Sequence, residues 1–329
     1  MILVIFEITM IVLVSLMLIL TLLSGHILKD GKILEKETGL KRFFSKILYI
    51  FSSIFAVYSN PFFSMVFWLV ERHWWFQGPF RRLLPWILAN GITKIAYSGE
   101  IYTTEETVAI LEQIYNEGDK RKENGEHLHI SISPCMCRDA IDNWSDEMPN
   151  LTCLHFQFMA EPMSKFMDQS LLISGETAIH LVKEYAEKWP FVHIFYGMCP
   201  SSPEFFDKQI ALCFCHHHCV TMRCEIKWGK YGLHPFKKGD HLAVIDKNKC
   251  KNCGTCIGKC PFFAISQADK NRNSKNDSIP YIDHKMCYGC GVCERFCPND
   301  AIYLIDRPKP KNKFIKKEII YSINFQGDE

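Results

Sequence analysis

The chain has 329 residues, a formal net charge of +2 and 48% apolar residues. Charge this balanced excludes the basic footprint of a nucleic-acid binder, and the length leaves room for two or three domains. Of 16 cysteines, half stand in motifs that need free thiolates, which argues for a reducing compartment rather than for disulfides.

Residues Ile2 to Leu23 form an apolar run with one charge, Glu7. At 1.5 Å per residue it spans about 33 Å, enough for the hydrocarbon core. A signal peptide would want basic residues before the apolar stretch, and none is present. Residues 1–28 therefore read as an uncleaved transmembrane anchor. Lys29, Lys32, Lys36, Lys41, Arg42 and Lys46 follow it. The positive-inside rule then gives a single-pass protein of the cell membrane with its bulk on the cytoplasmic side. A second apolar region, Ile47 to Val70, is interrupted by Asn60-Pro61. Proline disfavours helix at the residue before it, so two short helices dipping into one leaflet are expected rather than a second crossing. His73-Trp74-Trp75-Phe76, Arg81-Arg82 and Trp86 suit the headgroup layer. Residues 29–98 thus read as a basic loop and a membrane-associated hairpin, with membrane lipid as a partner.

From residue 99 the pattern changes. Thr103 or Thr104 caps a helix running through Tyr115, with Glu105 and Glu106 in its first turn. His127 to Ser133 alternates and reads as a strand. Glu176 to Lys188 is amphipathic, with Ala178, Ile179, Val182 and Tyr185 on one face, and Trp189-Pro190 stops it. Phe191 to Tyr196 and Gln209 to Phe214 read as strands. Helices alternating with apolar strands argue for an α/β domain over residues 99–239, in a chain that is α+β overall.

This domain carries eight cysteines. Cys135 and Cys137 stand just past the first strand, with Arg138 beside them; Cys213, Cys215 and Cys219 stand at the end of the last strand, around His216-His217-His218. Loops beyond strand ends in an α/β sheet are where ligands usually bind, so the two groups are expected to meet at one rim. The layout resembles iron–sulfur proteins with a Cys-x-Cys-Arg motif, a later lone Cys and a Cys-rich cluster ahead of a ferredoxin domain. Cys135, Cys137, Arg138 and Cys153 match the first part, and Cys213, Cys215 and Cys219 the second; the three histidines depart from the pattern. The resemblance implies a third centre, an iron–sulfur cluster or zinc, held by Cys135, Cys137, Cys153, Cys213, Cys215 and Cys219. The histidines read as solvated or supporting groups, His193 as a packed core histidine, and Cys199 and Cys224 as small buried hydrophobes.

Residues 240–306 contain a repeat, cysteine for cysteine: Cys250, Cys253, Cys256 and Cys260-Pro261, then Cys287, Cys290, Cys293 and Cys297-Pro298. A Cys-x-x-Cys-x-x-Cys loop curls round a cubane cluster and reaches three of its corners. Zinc motifs more often leave a dozen or more residues between pairs. Gly254, Gly289 and Gly291 permit close backbone approach. Pro261 and Pro298 suit a first helical turn, so Phe262 to Ile265 and Asn299 to Ile302 are expected to be helical. Val244 to Lys247 and Tyr281 to His284 read as strand ends, giving a pseudo-twofold pair of units. The region resembles the bacterial-type dicluster ferredoxin domain. The resemblance implies two 4Fe-4S clusters with crossed ligands: Cys250, Cys253, Cys256 and Cys297 for one, Cys287, Cys290, Cys293 and Cys260 for the other.

Residues 307–329 form a basic tail that includes Arg307, Lys309, Lys311, Lys313, Lys316 and Lys317. No Gly-x-Gly-x-x-Gly run joins a strand to a helix and no phosphate loop is present, so a nucleotide site is not expected. The sequence reads as a membrane-anchored electron-transfer protein, a subunit or partner of a redox complex passing single electrons to redox protein partners. A reductase with a catalytic metal or thiol site in the middle domain is the first alternative. A non-catalytic iron–sulfur redox sensor or scaffold is the second.

Overall fold

The computed structural model describes residues 98–122, 129–156, 159–197, 209–229, 234, 236–267 and 279–308, with isolated positions between 50 and 64. The expected anchor and basic loop lie outside the described residues, as do Cys199 and the tail from residue 309. Among the described residues no helix is long and apolar enough to cross a membrane.

Among the described residues from Ser98 onward, eleven strands and seven helices follow in chain order. The first part comprises β1 (Ser98–Tyr102), α1 (Thr104–Lys122), β2 (Ile130–Pro134), α2 (Met136–Asp139), β3 (Leu151–Phe156), α3 (Ala160–Phe166), β4 (Leu171–Ile173), α4 (Gly175–Lys188), β5 (Val192–Gly197), β6 (Gln209–Cys215), α5 (Val220–Gly229) and β7 (Phe236–Lys237). The second part comprises β8 (His241–Ile245), α6 (Thr255–Lys259), β9 (Ile265–Ser266), β10 (Tyr281–Ile282), α7 (Val292–Arg295) and β11 (Ile302–Asp306).

The fold is mixed α/β. Strands β1 to β7 form one sheet in the order β4-β2-β3-β6-β5-β1-β7. Every pair in it is antiparallel except β1 with β7. The rule that places ligands beyond strand ends belongs to parallel sheets, yet the two thiol groups do meet, because β2 and β6 both run antiparallel to β3 and end at the same edge. Along each strand, side chains alternate between the two faces with a period of two. On β6, Leu212 and Phe214 enter one core while Ala211, Cys213 and Cys215 enter the other. On β5, Phe195 takes the first side and Val192, Ile194 and Tyr196 the second.

The first face is covered by α1 and α4, whose Ile110, Leu111, Ile114, Ala178, Val182 and Tyr185 pack on it. Helix α1 begins in a capping box. The Glu106 amide donates to Thr103 Oγ1 at 3.2 Å and the Thr103 amide to Glu106 Oε2 at 3.0 Å. The helix runs past Tyr115 to Lys122, further than the sequence indicated. Ser174 caps α4 through the Thr177 amide at 3.1 Å. The second face carries the thiols and, over them, residues of the C-terminal module.

That module has two small antiparallel pairs, β8 with β11 and β9 with β10. The helices expected after Pro261 and Pro298 do not form. A turn follows each proline, with positive φ at Phe263 (54°) and Asp300 (46°), and the chain then enters β9 or β11. The short helices α6 and α7 lie earlier, inside the cysteine motifs. Positive φ also pairs Asn252 with Gly289 and Gly254 with Gly291, so the backbone repeats wherever the cysteines do.

Several side chains fasten the module. Arg295 donates to Thr104 Oγ1 at 2.7 Å and to the Phe191 carbonyl at 2.9 Å. His241 Nε2 lies 3.1 Å from Glu106 Oε1. Arg307, read from sequence as the start of the tail, instead donates to the carbonyls of Gly239, His241 and Cys287. Thr103→Ala removes the cap acceptor and should cost about 1 kcal/mol. A fall in thermal midpoint of about 2–4 °C in the purified full chain would register it.

Candidate functional site

In the C-terminal module each cysteine motif is tied by backbone to the tail of the other. The Asp246 amide, at the head of the first motif, donates to the Ala301 carbonyl at 2.7 Å; the Asp283 amide, at the head of the second, donates to the Ala264 carbonyl at 2.8 Å. Ala301 and Ala264 in turn donate to Cys297 Sγ and Cys260 Sγ, both at 3.3 Å. The last cysteine of each repeat is thereby delivered to the other repeat.

Thiol neighbourhoods follow the same crossing. Burial pushes the Cys256 thiol up, and Cys250, Cys253 and Cys297 add to the shift. Burial pushes Cys290 up to about 12, with Cys260 and Cys287 adding to it. A cavity is lined by Cys260, Cys287, Cys290 and Cys293, with apolar walls that include Ile265 and Val292. Four thiols crowded into an apolar pocket oppose one another's ionisation, and an iron–sulfur cluster relieves that cost by binding them as thiolates. These residues fit the group.

Gly289 is where backbone approaches backbone. Its φ is +71°, and a Cβ placed there would sit 2.2 Å from the His241 carbonyl oxygen. Gly254, at φ +76°, has nothing within 4 Å of such a Cβ. The two sets also differ in exposure: Cys253 is exposed, whereas Cys287, Cys290 and Cys293 are buried.

In the middle domain, all six thiols singled out from sequence are buried. Cys153 and Cys213 are register partners across β3 and β6, with their Sγ atoms 3.7 Å apart. Cys215 lies two residues further along β6, on the same face. Cys135 precedes α2, and its Sγ lies 3.8 Å from Cys219 Sγ at the start of α5. Cys137 lies on α2, and the neighbouring Cys135 pushes its thiol up. Hydrogen bonds from Cys137, Cys153 and Cys219 hold the Cys135 thiol low. Those from Cys213 and Cys219 bring Cys215 down to about 5. The network therefore joins all six.

Arg138 is 1% exposed beside them. Its Nη2 donates to the Pro149 carbonyl at 2.6 Å and to Thr152 Oγ1 at 2.9 Å, while Nη1 is buried without a hydrogen-bond partner among the described residues. Burial lowers its basicity, but Cys135 and Cys219 more than restore it. A buried guanidinium against thiols suits a centre whose sulfurs are anionic.

The three histidines form a compact group. Their ring centroids are 3.9–4.9 Å apart, with a nitrogen from each within 4.8 Å of the others. They are half-buried, not freely solvated, and His217 faces Phe263 of the module at 5.9 Å. His193 is a packed core histidine at 0% exposure, edge-on to Phe214. Cys224 is buried in the same core as the thiols.

One group escaped the sequence reading. Glu225 on α5 is 1% exposed and accepts from Tyr288 of the second motif, from His234 at 2.7 Å and from the Phe236 amide at 2.9 Å. The signal available in the sequence was Tyr288, an aromatic residue where the first repeat has Lys251.

Residues 249–301 match the 4Fe-4S dicluster domain. No curated protein matches the chain. The C-terminal module is a ferredoxin-like iron–sulfur domain, and its cofactors are 4Fe-4S clusters.

The two glycines give a test of the module's geometry. Gly289→Ala should lose most of its cluster content, whereas Gly254→Ala should keep it with a stability loss of about 1 kcal/mol from strain alone. Iron and sulfide per chain, measured anaerobically, check the contrast.

Proposed function

We propose that this chain is a membrane-anchored iron–sulfur electron-transfer protein, a subunit or partner of a redox complex, with a third sulfur-ligated metal centre in its middle domain. Bound clusters supply reversible one-electron transfer, at potentials set by burial, net charge and hydrogen bonds to sulfur. The chain's own part is to hold and insulate them. Cys250, Cys253, Cys256 and Cys297 hold one cluster; Cys287, Cys290, Cys293 and Cys260 hold the other. The amides of Ala264 and Ala301 supply bonds to sulfur.

The observation that carries the reading is one continuous core. Cys135, Cys137, Cys153, Cys213, Cys215 and Cys219 share it with Phe262, Tyr288, Cys290 and Val292 of the module. The thiol group and the second-motif loop thus pack against each other, which supports relay between neighbouring centres. All six middle-domain thiols are at most 9% exposed. That burial favours transfer over a reductase role, which needs an opening for substrate.

Membrane association is supported by an apolar stripe and one contact. Ile50, Ile54, Val57 and Tyr58 fall at helical spacing and are all exposed, an arrangement suited to lipid. Ser64 Oγ donates to the Ala140 carbonyl at 2.5 Å, one turn from Cys137. The apolar run Ile2 to Leu23 is the proposed anchor.

Anaerobic purification with iron, sulfide and zinc counted per chain tests the third centre. Metal beyond the roughly eight irons of two cubanes is expected. Cys135→Ser and Cys215→Ser should remove that excess and leave the paramagnetic signal of the dithionite-reduced module intact. About eight irons with no zinc, unchanged in both variants, would remove the third centre from the proposal.

A further inference from the structure

The two cysteine motifs share one backbone but not one surroundings. Their heads superpose by hydrogen bonding. Asp246 Oδ1 accepts from the Asn248 amide at 2.9 Å, as Asp283 Oδ1 does from Lys285 at 2.8 Å. The Asp246 carbonyl accepts from Cys250, as the Asp283 carbonyl does from Cys287. Residue by residue, Lys247 then stands for His284, Lys249 for Met286, Lys251 for Tyr288, and Cys253 for Cys290.

The differences fall where the surroundings differ. The second motif turns inward: Tyr288 is 5% exposed, bonded to Glu225 and stacked on Phe262 at 4.1 Å, and Cys290 is buried in the thiol core. The first motif turns outward. Lys247, Lys249, Lys251 and Cys253 are all exposed. None of the three lysines pairs with a carboxylate among the described residues. Asp246, the nearest acid in sequence, is already engaged by the turn, and Asp300, in the turn after the second motif, is an exposed acid. Three exposed lysines thus stand within six positions of the exposed Cys253.

A cluster ligand at the surface is a poor choice for stability, since water and oxidant reach it. It is a good choice for a short path to another protein. Exposed lysines add long-range attraction for an acidic surface, screened beyond about 8 Å at physiological salt. We propose that the face formed by Lys247, Lys249, Lys251 and Cys253 is the docking surface for an acidic redox protein, while the second motif faces inward to the thiol centre. This deepens the electron-transfer reading and rests on it. The pseudo-twofold module is thereby polar: one end is wired into the protein, the other is presented to a partner.

The test uses the cluster-loaded full chain and an acidic flavodoxin as probe, with affinity measured by isothermal titration over a salt series. Binding should weaken steeply with salt. The Lys247→Glu, Lys249→Glu, Lys251→Glu triple variant should lose roughly tenfold or more in affinity, and the matching Lys→Arg triple should keep it. Iron content and the reduced-state paramagnetic signal must be unchanged in both, which separates docking from cluster assembly. Unchanged affinity in the intact Glu variant would overturn the proposal. So would a Glu variant that loses binding to phosphatidylserine vesicles but not to flavodoxin, because the lysines would then serve a lipid surface. A wild-type chain that holds no clusters would sink the electron-transfer reading first, and docking with it.

Discussion

A β-strand has two faces, and the sheet in this protein uses them for different chemistry. One face carries Leu154, Leu212, Phe195 and Phe214 against two amphipathic helices, an ordinary apolar core. The other carries Cys153, Cys213 and Cys215. The period of two that separates the faces is the constraint on which the site depends. A one-residue slip of β6 would send Cys213 and Cys215 into the helix-packed core and aim Leu212 and Phe214 at the thiols. Register is set by the apolar residues, so the packing of α1 and α4 on one face of the sheet positions the thiol group on the other.

Electrostatics explains what stands around the thiols. Six sulfur groups in an apolar interior are expensive to ionise together. The structure answers with a hydrogen-bonded relay that keeps Cys135 and Cys215 low and the other four high, and with one fixed cation. Arg138 is held by carbonyls and Thr152 rather than by a carboxylate, so its charge is not cancelled locally. The histidines beside it are driven the opposite way. Burial brings His216 down to about 3 and His217 to about 4, which leaves neutral imidazoles beside the guanidinium.

Much of this was legible in the sequence where local chemistry decides. The cysteine repeat, the strand ends before it, the Thr103 cap and the apolar face of α4 all follow from short-range patterns. The six middle-domain thiols could be named because they cluster in sequence, apart from Cys153. What failed needed non-local information. Strand direction is not written in alternation, so the antiparallel pairing of β2, β3, β5 and β6 could not be read from it. The residues after Pro261 and Pro298 were read as helix from proline geometry alone. Tertiary demand won there: each segment must turn back within a few residues to pair as β9 or β11, and a positive φ at Phe263 and Asp300 makes that turn. Glu225 was invisible for the same reason, since its partners Tyr288 and His234 come from distant segments.

Internal duplication supplies a closed, crossed cage for two groups, because each half completes the other. Symmetry alone would leave both halves equally exposed or equally buried. The fold breaks it with few substitutions on a shared backbone. Tyr288, replacing a lysine, fills the space against Glu225 and Phe262. Gly289, replacing an asparagine, lets His241 approach to a distance no side chain tolerates. Arg307 closes the same end by bridging Gly239, His241 and Cys287. These three residues all act on the second motif and leave the first untouched. The burial of the second motif is therefore an outcome of docking to the middle domain, and the first motif, outside that shared core, keeps Cys253 exposed.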